Sequence, residues 1–317
     1  MSDQRPVYVG FGMLTPVAIM VVEQLPEYNC GALVKEVSEF VFDDAAIIAC
    51  LLRQWDMPTA MIGTAVGDDP RGHLLAKQLE DWGVAGEVRF SSEITTPWEV
   101  DISDETGART YFWQRPAYVL DTLDSADLAL VDGARMLYVD WYDGEHIVRA
   151  MDEAIRVNVP VFLNFEYGHS DPGLLNRYAG RAVVCQAVTD EAQRGKAPAM
   201  EIARKLLAMG VQTALITMAE EGCLGMQAEQ AVRIYAPDVH VVDGCGAGAT
   251  FSAGYIYGYL NGWSLENALR FATAAASLKV TRPGLKMFPM SQIQDLAAQL
   301  KVERLVLADN SFNRRDN

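Results

Sequence analysis

Short apolar runs separated by amphipathic stretches set the organisation of this chain. Val7–Val9 leads into Gly10-Phe11-Gly12 and reads as a buried first strand. Val17–Val22 and Ala32–Val37 read as strands of an antiparallel sheet, with a turn around Pro26 and Asn29. Ala45–Trp55 is apolar nearly all round and predicts a buried helix. Thr59–Gly63 predicts a strand, and Asp69–Trp82 an amphipathic helix stopped by Gly83. Thr96–Ile102 and Arg109–Trp113 flank Gly107 as a hairpin. From Ala126 onward strand and helix alternate. The strands fall at Met136–Val139, Val159–Leu163, Ala182–Cys185 and Thr213–Ile216, the helices at His146–Val157, Asp190–Met209 and Phe251–Leu260. Such alternation implies parallel strands with crossover helices on both faces. The pattern predicts one α/β domain over 1–317, with a small sheet inserted from about 16–42 and 92–116. That sheet is expected to lie as a lid over the strand C-terminal ends, where open α/β sheets bind ligands.

Composition narrows the function classes. Half of the 317 residues are hydrophobic, which excludes a disordered or fibrous chain. Lys and Arg number 26 against 42 Asp and Glu, a net charge of −16. That balance argues against a nucleic-acid binder, which needs a clustered cationic surface. Five scattered cysteines without a Cys-x-x-Cys pair suggest neither a disulfide framework nor a zinc site. The four histidines are equally scattered, and no metal site is expected. No apolar run approaches the ~20 residues that span a bilayer, and the polar start lacks a signal-peptide pattern. A cytoplasmic protein acting on small molecules is the expectation.

Val241–Gly254 carries the most chemical information. A strand is expected to end at Val242 and pass through Asp243-Gly244-Cys245-Gly246-Ala247-Gly248 into a helix. Glycines at a helix N-terminus leave backbone N–H groups open to an anion, and the helix dipole adds to the attraction. A plain strand-to-helix turn needing glycine for its dihedral angles is the alternative.

Asp243-Gly-Cys-Gly-Ala-Gly-Ala-Thr-Phe-Ser-Ala-Gly254 resembles the C-terminal signature of the PfkB or ribokinase-like sugar kinases, Asp-Thr-x-Gly-Ala-Gly-Asp-x-Phe-x-Ala-Gly. The likeness continues through Gly262–Leu269 and Val280–Gly284. Ala65–Gly72 is similar to the family's Val-Gly-Asp-Asp-x-x-Gly segment, and Thr217–Gly222 to its Thr-x-Gly-x-x-Gly nucleotide loop. Val159–Glu166 looks most like the fructokinase and ketohexokinase branch. The resemblance implies a three-layer α/β/α fold with a β-sheet lid, and ATP- and Mg2+-dependent phosphotransfer to a sugar or nucleoside hydroxyl. It implies an anion hole at Gly246, Ala247 and Gly248, and nucleotide contacts at Thr217, Gly222, Glu191 and Thr273. Homodimers formed through the lid are also a family habit, and Trp98, Tyr111, Phe112 and Trp113 offer area for one; packing of the lid onto the main domain is the alternative.

Several positions depart from that pattern. The family's catalytic aspartate is replaced by Ala249. Its sugar-binding aspartate after the first strand corresponds to Thr15, and its Gly-Gly-x-x-x-Asn segment to Phe42–Ile47, so that Asp43, Asp44 and Ile47 enter the substrate side. Arg115 resembles a lid arginine that reaches substrate; a solvated lid charge is the alternative. Glu191 lies where the family has Asn-x-x-Glu, but Val188 replaces the Asn, and Ala219 replaces the first glycine of the nucleotide loop. These changes imply a kinase scaffold that has lost ordinary sugar kinase activity and still binds a nucleotide, phosphate or sugar-like ligand. The alternatives are an active kinase with Asp43 or Asp44 as base, and a lid-mediated interaction protein.

Overall fold

The strand pattern divides side chains between two faces of one large sheet. In the computed structural model, which describes residues 5–189, 198–286 and 288–307, the chain runs β1 Tyr8–Gly12, β2 Thr15–Val22, β3 Val34–Phe42, α1 Asp44–Gln54, β4 Thr59–Gly63, β5 Val66–Gly67, α2 Pro70–Asp81, β6 Phe90–Ser91, β7 Trp98–Ser103 and β8 Arg109–Gln114. It continues as β9 Met136–Asp140, α3 His146–Arg156, β10 Val161–Glu166, α4 Pro172–Tyr178, β11 Val184–Val188, α5 Ala199–Ala208, β12 Thr213–Thr217, β13 Cys223–Met226 and β14 Ala231–Ile234. Then follow α6 Ala247–Leu260, α7 Leu265–Lys279, α8 Met290–Gln299 and β15 Val302–Leu305. The main sheet has the order β15-β14-β13-β12-β11-β10-β9-β1-β4. β4 through β12 pair in parallel, and β13, β14 and β15 extend the sheet antiparallel.

Alternation along each parallel strand builds two cores. Tyr8, Tyr138, Phe162, Val184 and Leu215 face α1, α6 and α7, whereas Val9, Leu137, Leu163, Cys185 and Ala214 face α3, α4 and α5. Both faces are covered, which is why these strands read as continuous apolar runs. α1 packs against β1, β4 and α6 and buries every residue from Ala45 to Leu52. This is the α/β/α arrangement expected.

The smaller sheet has the order β3-β2-β7-β8. β2 and β3 are antiparallel, β7 and β8 form the hairpin across Gly107 (φ 78°), and β2 joins β7 in parallel. Glu99, Asp101 and Ser103 of β7 point inward and are buried.

Some elements differ from the sequence reading. Val241–Val242 is not a strand: the N–H groups of Val242 and Asp243 both donate to the Val280 carbonyl at 2.8 and 3.1 Å, so this apolar pair crosses the end of α7 instead of joining a ladder. α6 starts at Ala247 rather than 251, because its small first residues are helical. β10 starts after Pro160, which has no N–H to give a ladder. Part of the helix expected over 190–209 lies outside the described residues, and the described part is α5.

Candidate functional site

Three buried polar residues interrupt the apolar strand ends. Asp140 of β9, Asn164 of β10 and Gln186 of β11 are register partners, so they form a row across adjacent strands on one face of the sheet. Adjacent strands are ~4.8 Å apart, and the row lies at the carboxyl ends of the strands. Its neighbours two residues earlier, Tyr138, Phe162 and Val184, belong to the core. The sequence reading missed this row. Its signal was a polar residue closing or breaking each apolar run, and only register makes the three adjacent.

The N-terminus of α1 stands over one end of the row. Asp43 caps it with φ 89°, a conformation that glycine enters freely and other residues seldom adopt. The Asp43 carboxylate accepts from the Asp44 N–H at 3.2 Å and from the Tyr142 hydroxyl. Asn164 Nδ2 donates to Asp44 Oδ2 at 3.1 Å, and the Tyr138 hydroxyl donates to Asp140 Oδ2 at 2.9 Å. Asp143 accepts from the Met13 N–H at 3.3 Å. Thr15 Oγ1, Asp43 Oδ2, Asp140 Oδ1, Asp143 Oδ1 and Asn164 Oδ1 are buried and have no hydrogen-bond partner among the described residues.

These carboxyls hold one another's protons on. Burial raises Asp43, Asp140 and Asp143 above the usual carboxylate range, and repulsion within the group adds to the rise for Asp140 and Asp143. Asp44 is pushed up to about 8 by burial, then by Glu166 and Asp43. Glu99 on the lid is pushed up to about 7 by burial, then by Asp101 and Asp43. Arg115 is exposed, and its charge opposes the rise at Asp43 and Asp143.

The glycine turn stands over the other end of the row. Buried Asp243 organises it: its carboxylate accepts from Cys245 N–H (2.9 Å), Ser103 Oγ (3.2 Å), Gly284 N–H (3.1 Å) and Lys279 Nζ (2.7 Å). Gly246 has φ 73°, which suits glycine. α6 has no side-chain cap, and its i→i−4 pairing begins with Thr250 N–H to the Gly246 carbonyl at 2.9 Å. The amides of Gly248 and Ala249 therefore belong to the first turn, which has no acceptor inside the helix. The Ser252 hydroxyl donates to Gln186 Oε1 at 2.8 Å, which directs Gln186 Nε2 toward Gly248. The lid closes this end: a Cβ on Gly107 would lie 2.4 Å from Val241 Cγ1.

The remaining expected site residues are placed as follows. Ala249 is fully buried in the core beside α1, and Ala247 is the first residue of α6. Ile47 is fully buried, with Cδ1 3.3 Å from where a Gly246 Cβ would stand, so it packs the turn rather than lining an open cleft. Thr217 ends β12, its hydroxyl 3.4 Å from the Ala187 carbonyl. Gly222 (φ 90°) cannot carry a Cβ, which would lie 2.1 Å from the Ile234 carbonyl. Thr273 is turned inward, with Oγ1 3.3 Å from Cys223 Sγ. Glu191 lies outside the described residues. Asp43, Asp44 and Thr15 share one cleft with Asp140, Asp143 and Asn164, whereas Thr217, Gly222 and Thr273 lie on the far side of the glycine turn, along β12, β13 and α7. Among the described residues no three acidic, His or Cys side chains are grouped to hold a metal ion. No helix among them is long and apolar enough to cross a membrane.

Comparisons with known proteins agree with this geometry. A 1-phosphofructokinase of Vibrio cholerae is 31% identical over 131 residues, 41% of this chain and 38% of that protein. This chain thus matches well under half the length of that relative. A nucleoside kinase of Methanothermobacter thermautotrophicus is 24% identical over 273 residues, 84% of this chain and 86% of its own length. The structure of Arabidopsis thaliana ribokinase complexed with ribose and ATP superposes with a TM-score of 0.72 at 22% identity, covering 93% of this chain and 99% of that one. The family model of the pfkB carbohydrate kinases matches residues 44–291. With the α/β/α sheet, the lid and the glycine turn in place, this chain belongs to the pfkB family of carbohydrate kinases.

Proposed function

We propose that this protein binds a sugar- or nucleoside-like ligand in the cleft and a nucleotide phosphate at Gly246–Gly248, without ordinary sugar kinase turnover. The observation that carries this reading is the methyl group of Ala249 at the third residue of an otherwise intact anion turn. General-base help is worth about 10²–10⁴ in rate, or about 3–5 kcal/mol of barrier. Among the described residues no other acid stands in for it at the turn, since Asp243 is held in its ion pair with Lys279. The uncapped amides of α6 fit a phosphate group. ATP with Mg2+ is the cofactor proposed on family grounds, and it would supply the transferable phosphoryl group.

A calorimetric titration with ATP tests the binding half. Wild-type protein should give saturable heat, and Gly248→Val should abolish it. A Cβ at Gly248 meets nothing closer than Gln186 Nε2 at 4.0 Å, so the fold has room for it. A helical side chain leans toward the N-terminus and would cover the amides. Silence of the wild type toward ATP would remove the nucleotide from the proposal.

A second reading makes Asp44 a replacement base. It is favoured by a carboxyl pushed up to about 8, linked through Asn164 to the row that ends beneath the turn. Asp44→Asn decides it, because a turnover unchanged by that substitution excludes the role. The outer lid face, where Phe112 is 62% and Val37 56% exposed, is proposed to pair with a second copy of the chain.

A further inference from the structure

The cleft offers more unpartnered oxygens than a neutral polyol satisfies, and its carboxyls, which hold one another's protons on, can release them to a cation that enters. Four aspartates, Asp43, Asp44, Asp140 and Asp143, converge beneath the lid, and three of them keep an oxygen with no partner. Two uncharged groups add to this: Thr15 Oγ1 and Asn164 Oδ1 are also unpartnered, on residues 3% and 1% exposed. An amide oxygen and a carboxylate accept only. A ligand that satisfies them brings donors, and the cluster's mutual repulsion asks for positive charge as well. Hydroxyl groups supply donors without charge. A bare metal ion supplies charge, but the described residues include no acidic group arranged as its ligands. An ammonium group supplies both, with three donors directed to separate oxygens.

The lid repeats the preference. Tyr111 and Trp113 lie opposite Asp101 and Glu99 in the β7–β8 register, so they stand on the inner face with those acids. They remain 47% and 59% exposed, with ring centroids 5.6 Å apart. The Arg109 guanidinium lies 5.4 Å from the Tyr111 centroid and donates to Asp101 Oδ2 at 3.3 Å, so this face already holds one cation of the protein's own.

We propose that the cleft takes a polyhydroxylated amine, such as an amino sugar, an aminocyclitol or an amino-substituted nucleoside, with its ammonium group among Asp43, Asp44 and Asp143 and its hydroxyls donating to Thr15, Asp140 and Asn164. The inference rests on reading this cleft as the ligand site, and it names the class of that ligand.

Calorimetry on the full chain with matched pairs tests it: D-glucosamine against D-glucose and N-acetyl-D-glucosamine, streptamine against scyllo-inositol, and 3′-amino-3′-deoxyadenosine against adenosine. At least one amine should bind about tenfold or more tighter than its neutral partner, since a charge-assisted bond is roughly twice as strong as a neutral one. Asp143→Asn should reduce that preference about tenfold. Equal binding within every pair, silence toward all of them, or equally tight binding of spermidine or Mg2+ would overturn the inference. The ATP titration reads the glycine turn separately. Heat with ATP and no amine preference overturns the ligand class while the proposed function stands; amine preference without a response to ATP supports the ligand class and removes the nucleotide.

Discussion

Lys279→Met is expected to cost about 3–5 kcal/mol of stability, because it strands a buried carboxylate. Lys279 and Asp243 are 3% and 0% exposed at their side chains and 2.7 Å apart. Without the ammonium group, Asp243 keeps only the two N–H donors of Cys245 and Gly284 and the Ser103 hydroxyl. Those donors come from the glycine turn, the segment after α7 and the lid, so the loss loosens three parts of the site together. Urea unfolding at neutral pH measures the effect. Adding Asp243→Asn should restore at least about 1 kcal/mol, because the stranded group then carries no charge. A loss below about 1 kcal/mol in Lys279→Met would show that the pair does not hold the turn.

Asp44→Asn is expected to do the opposite, and to do it only at higher pH. The folded-state pKa of about 8 lies above the ordinary aspartate value near 3.8, so the unfolded chain releases the proton first. Stability from protonated Asp44 is therefore complete below about pH 4 and lost progressively as pH rises to about 8. Each unit of separation is worth about 1.4 kcal/mol. With relaxation of the cleft and proton sharing among the carboxyls, a gain of about 2–3 kcal/mol is expected for the variant at pH 8. The amide that replaces the Asp44 carboxyl keeps its shape, and its oxygen can still accept from Asn164 Nδ2. Glu99, pushed up to about 7 by burial, then by Asp101 and Asp43, adds to the wild type's fall in the same window. Melting temperatures at pH 4 and pH 8 check this. The variant and the wild type should nearly coincide at the lower pH and separate at the higher one. Equal separation at both would mean that Asp44 is ionised throughout.

Local sequence carried the scaffold and part of the site. The apolar periods of β4, α1 and α2, the turn at Gly107 and the two lid pieces follow from patterning, because each depends on neighbours a few residues away. Gly246 and the alanine at 249 were visible as departures from a short motif. The floor of the cleft was not. Asp140, Asn164 and Gln186 are more than twenty residues apart in pairs, and parallel register alone sets them side by side. The acidic character of Asp43 and Asp44 was legible, but their mutual burial with Asp143 and Tyr142 was not, since it arises where α1 meets the segment after β9. Val241 and Val242 misled because two β-branched apolar residues fit a strand equally well, whereas the N–H groups of Val242 and Asp243 serve the Val280 carbonyl at α7's end. Cys223–Met226 escaped notice because Gly225 breaks its pattern; a Cβ there would lie 2.6 Å from Leu269 Cδ1.

The anion turn of this protein is proposed to survive without its base. Steady-state turnover with ATP and Mg2+ across sugars, amino sugars and nucleosides tests it most directly. Ordinary enzymes turn over at about 1–10³ per second, and losing a general base removes about 10²–10⁴ of that. Starting from a typical value of about 10 per second, a kcat of about 10⁻¹ per second or below is expected for every substrate. A kcat in the range of about 1–10³ per second with any of them would contradict it.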